Sequence, residues 1–166
     1  ADRIGVTQGA IFRHFPDKAA IWMAVFAWVR ESLATVLATA ITKPSLPLAK
    51  IEAAFFAHVA FIAANPGVPR ILFHELQYPG DSPVRAEVRT MISGYRERLA
   101  SLFAAASSAG ELPAAFDPDL APVLFIGAIQ GLVIESAIAG SEAGMMARAR
   151  QMFPLLLDGY RGRDER

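Results

Sequence analysis

A short run near the start of the chain holds the residues best suited to reading another molecule: Thr7, Gln8, Gly9, Ala10, Arg13, His14 and Lys18. Gly5 can take the left-handed conformation that ends one helix, and Thr7 can accept a backbone N–H as N-cap of the next, so the two bracket a tight turn. From Gln8 to Phe15 the apolar Ile11, Phe12 and Phe15 recur at three- and four-residue spacing, while Gln8, Gly9, Arg13 and His14 point elsewhere. One face packs and the other can meet a groove. Gly9 and Ala10 carry almost no side chain, which lets a helix backbone lie close to a duplex. At the helix start Thr7, Gln8, Gly9 and Ala10 fall nearest the base edges, with Gln8 able to bond adenine bidentately. Arg13, His14 and Lys18 are suited to holding phosphates if the segment is a helix-turn-helix; otherwise Arg13 and Lys18 form an ordinary solvated face and His14 packs over Phe15.

The same residues, written G-V-T-x-G-x-I-F-x-H-F-P-x-K from Gly5 to Lys18, resemble the helix-turn-helix signature of the tetracycline-repressor (TetR) family of bacterial transcription regulators. The resemblance covers about the first thirty residues, and the helical remainder looks like that family's divergent C-terminal domain. It implies an all-α chain with a helix-turn-helix domain over residues 1–28 and a ligand-binding and dimerisation domain over 29–166. It also implies a cytoplasmic homodimer, paired through the last two helices, that binds double-stranded DNA and is released by a small-molecule effector. Two departures follow from this pattern. Ala1 falls inside the second helix of the motif, so a first helix is expected ahead of it, within about forty missing residues by domain-size reasoning. Phe12 stands where the family commonly has Tyr, so one phosphate contact is lost.

Composition narrows the classes. With 54% hydrophobic residues in 166, the chain can bury a sizeable core, and a net charge of zero means that no global basic field advertises nucleic acid. Local charge does: up to residue 30, Arg3, Arg13, Lys18 and Arg30 face only Asp2 and Asp17. Cysteine is absent, which removes disulfides, thiolate nucleophiles and Cys-based zinc sites. The apolar run from Leu120 to Ile134 is shorter than the ~20 residues a membrane helix needs and contains Gln130, so a buried helix is expected. No H-x-x-H, G-x-S-x-G, P-loop or dinucleotide glycine pattern occurs, and His74 and Glu75, as helix neighbours, are expected to point apart. Neither a metal, a cofactor nor an enzyme is expected.

Helical periodicity and breakers place the elements that must hold these residues. Asp17 caps a helix from Lys18 to Ile41; a second runs from Leu48 to Asn65; a short one from Pro69 to Tyr78. Ser82 caps a long helix with Pro83 at its first position and Val88, Ile92, Tyr95, Leu99 and Phe103 on its inner stripe, closed by Gly110. Asp117-Pro118 opens the next, through Ala139, and Ser141 begins the last, to about Tyr160. The segment from Pro122 to Ile138 is apolar nearly all round, and Ala149, Phe153, Leu156 and Tyr160 stripe the final helix, more apolar surface than one small protomer covers. Gly127 and Gly131 form a small-x-x-x-small pair that lets two helices approach closely. Pro154 is expected to kink the last helix or to cost about 3 kcal/mol.

The body is rich in aromatic residues where an effector cavity is expected. Phe55, Phe61, Phe73, Tyr95 and Phe103 are its candidate walls, and His58, His74 and Gln130 its polar anchors, which suits an apolar or aromatic effector. A twofold dimer presents two recognition helices on one face, so the operator is expected to be a near-palindrome with half-sites ~34 Å apart. The competing reading is a dimeric helical module that binds a small molecule or a protein and no longer reads DNA.

Overall fold

The computed structural model describes residues 15–77, 80–113, 116–141 and 143–162. Of the recognition segment it includes only the end. Thr7, Gln8, Gly9, Ala10, Arg13 and His14 therefore lie outside the described residues, as does Tyr78. The described residues form six α-helices and no strand: α1 (Lys18–Ala40), α2 (Pro47–Ala64), α3 (Gly67–Gln77), α4 (Pro83–Ser108), α5 (Ala121–Ala139) and α6 (Met145–Arg161). The all-α expectation is met.

Local chemistry sets most boundaries where the sequence put them. Asp17 accepts from the Ala20 N–H at 2.8 Å and Ser82 from the Arg85 N–H at 3.0 Å, each satisfying a first-turn donor that has no helical partner. Gly110 and Gly140 end α4 and α5 at φ +72 and +67, a region that costs other residues steric strain. Three boundaries shift. Asp117 Oδ1 accepts from the backbone of Asp119 and Leu120, which holds residues 118–120 as a turn and delays α5 to Ala121. Ser141 bonds the Ala143 N–H at 3.2 Å in the same manner, and α6 starts only at Met145. Helix α3 begins two residues ahead of Pro69, because a proline within the first turn removes an N–H that would find no helical acceptor anyway. Pro154 lies within α6, which stays helical on both sides of it.

Helix α2 is the centre of the bundle and touches α1, α4, α5 and α6; α1 also packs on α4, α3 on α4, and α5 on both α4 and α6. The main core is a set of rings: Phe55 of α2 meets Phe125 of α5 edge-on at 5.3 Å and Phe153 of α6 at 5.0 Å, while Phe103 of α4 meets Tyr160 at 4.9 Å. Tyr160 donates to the buried carbonyl of Ala121 at 2.9 Å, tying the end of α6 to the start of α5. A smaller cluster of Phe26, Leu72, Val84 and Val88 joins α1, α3 and α4, and Arg30 of α1 pairs with Glu87 of α4 at 2.7 Å. Helices α1, α2 and α5 are long and apolar enough to cross a membrane by length and composition alone, so the expectation that the apolar run of α5 is too short does not hold on length.

A candidate effector cavity and an unpartnered helical face

Five helices converge on a cavity of about 80 Å³. Helix α1 supplies Val29 and Leu33; α2 supplies His58, Phe61 and Ile62; α3 supplies Val68, Pro69 and Leu72; α4 supplies Met91, Ile92 and Tyr95; and α5 supplies Ile126 and Gln130. The wall is apolar except for three side chains. His58 Nδ1 and the Tyr95 hydroxyl are 2.8 Å apart, with the rings nearly perpendicular. Burial pushes His58 down to about 4 and Tyr95 upward, because neither charged form is solvated there, so both are neutral at pH 7. Gln130 Oε1 is buried with no hydrogen-bond partner.

The neutral histidine has a measurable consequence. The folded protein refuses a proton that the unfolded chain accepts below pH 6.5, so stability is full above that pH and falls until the pH reaches about 4. The loss is about 3 kcal/mol across the window. Urea unfolding at pH 7 and at pH 4.5 is expected to show a larger difference in the native protein than in His58→Gln; equal pH dependence in the two proteins contradicts the assignment.

The cavity gathers some of the residues the sequence singled out and not others. His58, Phe61, Tyr95 and Gln130 line it together. Phe73 lines a different opening of about 310 Å³, between α3, α5 and the start of α6, with Arg70, Val133 and Ile138. Phe55 and Phe103 do not line the cavity but are fully buried among the core rings. His74 is exposed, and its Nδ1 lies 3.6 Å from Glu75 Oε1 rather than diverging from it. Sequence reasoning did not select the contribution of Val29 and Leu33 from α1. Their only signal is membership of an ordinary helical stripe. It also missed a groove of about 720 Å³ in which Arg85, Arg89 and Arg96 of α4 stand over Leu76, Val88 and Pro122.

Opposite the core, α5 and α6 present an apolar face that no other described residue covers. Leu120 at the cap of α5, Val123, Leu124, Ile134 and Ile138 within it and Leu155 of α6 are all about half exposed or more, reaching 83% at Ile138. Gly127 and Gly131 lie on the same exposed side of α5, and a Cβ added to either meets nothing within 4 Å. Glu135 of α5 and Arg148 of α6 pair at 2.8 Å nearby. Lys18, the one expected phosphate contact among the described residues, is exposed at the first position of α1, its ammonium 5.8 Å from the Trp22 ring centre.

Residues 79–153 match the family described as "Tetracyclin repressor-like, C-terminal domain". Among curated proteins, the chain is 27% identical over 103 residues to the nucleoid occlusion factor SlmA of Actinobacillus pleuropneumoniae, which covers 61% of this chain and 50% of that protein. The chain thus spans about half the length of that relative. Among solved structures, a transcriptional regulator of the TetR/AcrR family from Thermobifida fusca superposes with a TM-score of 0.70 at 25% identity, over 98% of this chain and 85% of that one. FadR from Bacillus subtilis, solved in complex with stearoyl-CoA, superposes with a TM-score of 0.76 at 20% identity, over 96% of this chain and 85% of that one. The chain thus has the fold of a TetR/AcrR-family regulator, and its residues 79–153 resemble the C-terminal domain of tetracycline-repressor-like proteins.

Proposed function

We propose that this chain comes from a ligand-responsive, cytoplasmic transcriptional regulator, most simply a repressor, in which residues 1–28 read DNA and residues 29–166 bind the effector and dimerise. The observation that carries this reading is the double duty of α1. Its first residue, Lys18, is the last of the recognition signature, and its Val29 and Leu33 form part of the cavity wall. A molecule entering the cavity therefore acts on the element that holds the reader. That effect regulates only if the ligand favours one arrangement of α1 over the other, since equal affinity for both shifts nothing. An apolar effector, or the apolar end of a larger one, suits walls of this composition, and the stearoyl-CoA held by FadR is a ligand with such an end.

The two copies pair through α5 and α6. Mid-helix glycine costs about 1 kcal/mol relative to alanine. Neither Gly127 nor Gly131 has a positive φ or a close neighbour within the protomer to require it. A second helix lying directly on them does require it. The resulting twofold places two recognition segments for a near-palindromic operator.

The test is an operator titration with the full-length protein and its own upstream DNA over a range of salt. Affinity is expected to fall with a log-log slope of about −0.9 per phosphate neutralised. Arg13→Ala is expected to weaken all sequences alike, and Gln8→Ala to change the preference between bases. No retention of upstream DNA at low salt sinks the regulator reading and leaves a dimeric ligand-binding module in its place.

A further inference from the structure

We infer that the cavity selects an uncharged, hydroxyl-bearing apolar molecule, with Gln130 and Tyr95 as the side chains that bond the hydroxyl. This inference rests on the ligand-binding reading above. Buried polar atoms in folded proteins nearly always have partners, and one without a partner calls for a reason. Gln130 Oε1 is such an atom, and its side chain is one of those that line the cavity. Rotating the amide only exchanges the group presented, an acceptor for a donor, and a hydroxyl answers either because it both donates and accepts. Tyr95 adds to the same site: when its O–H donates to His58 Nδ1, its oxygen keeps lone-pair capacity toward a ligand.

The same wall argues against an anion. A carboxylate brought here loses its water and needs a counter-charge. His58 is held neutral by burial, and among the described residues no lysine or arginine lines the cavity. Arg30 and Arg98 line a separate crevice between α1 and α4, and Arg30 is engaged by Glu87. A purely apolar ligand fills the space but leaves Gln130 Oε1 as it was. A hydroxyl-bearing one removes the defect.

Three probes that share one ring test this: benzyl alcohol, toluene and benzoate, titrated calorimetrically at pH 7.5 into the full-length protein. Benzyl alcohol is expected to bind at least roughly tenfold tighter than toluene, the discrimination available to a site that hydrogen-bonds a hydroxyl, with benzoate the weakest. Gln130→Leu is expected to bring the alcohol-to-toluene ratio close to one. It is also expected to raise the unliganded thermal midpoint by about 3 °C, because an unsatisfied buried oxygen is gone. Tyr95→Phe is expected to lower the ratio without removing toluene binding. Equal affinity for alcohol and toluene, or preference for benzoate, overturns the inference and leaves the ligand-binding reading standing. Failure of all three probes to bind the native protein overturns the inference, while the regulator reading stands or falls on the operator titration.

Discussion

Gly131→Arg is expected to turn a dimer into a monomer while leaving the protomer's helices intact. Within one protomer the substitution is harmless: Gly131 has helical backbone, lies exposed in the middle of α5, and has open space where the Cβ would stand. Leaving glycine improves helix propensity by up to about 1 kcal/mol. Across a close helix pair the same change inserts a long charged side chain where two backbones meet, and losses at the centre of an interface run to about 4 kcal/mol. That corresponds to roughly a thousandfold weaker self-association. Sedimentation at several concentrations, read beside circular dichroism, separates the two effects. Operator affinity is expected to fall with the dimer, since a monomer offers a single reader. A dimer that survives Gly131→Arg places the twofold elsewhere.

Phe55→Ala is expected to be the most destabilising single truncation of the core. Phe55 is fully buried on the central helix and meets Phe56, Phe125 and Phe153 at 5.6, 5.3 and 5.0 Å, so one ring holds α2 against both α5 and α6. Its removal subtracts the transfer energy of the ring and leaves a void that three other rings border, a loss of about 3–5 kcal/mol. Urea denaturation monitored by circular dichroism is expected to show a lower midpoint with an unchanged slope. A loss below about 1 kcal/mol means that the ring set is not packed as described.

Much of the architecture was legible because it depends on local chemistry. The stripe of Val88, Ile92, Tyr95, Leu99 and Phe103 follows from 3.6-residue periodicity, and the caps Asp17 and Ser82 act within three residues of themselves. The starts of α5 and α6 were misread for an equally local reason. An aspartate or serine that accepts a backbone N–H can close a turn as readily as it caps a helix, so Asp117 and Ser141 mark where the chain bends and not where a helix begins. The cavity was only half legible. Phe55 and Phe61 are the same residue type, six positions apart on one helix, yet one is core and the other is cavity wall. What separates them is the identity of the helices opposite, which no local pattern carries.

Val29 and Leu33 belong at once to the chamber and to a helix of 23 residues, about 35 Å long at 1.5 Å per residue. In the proposed regulator this sets a rule for retuning. Swaps at Ile126 or Gln130, on α5, can change which molecule is accepted while the arm carrying the reader keeps its resting pose. Swaps at Val29 or Leu33 reposition the arm itself, so new ligand preference and altered promoter leakiness arrive together. Selection for a new inducer is thus steered toward α5, and the sensor can diversify without rewriting its genetic address.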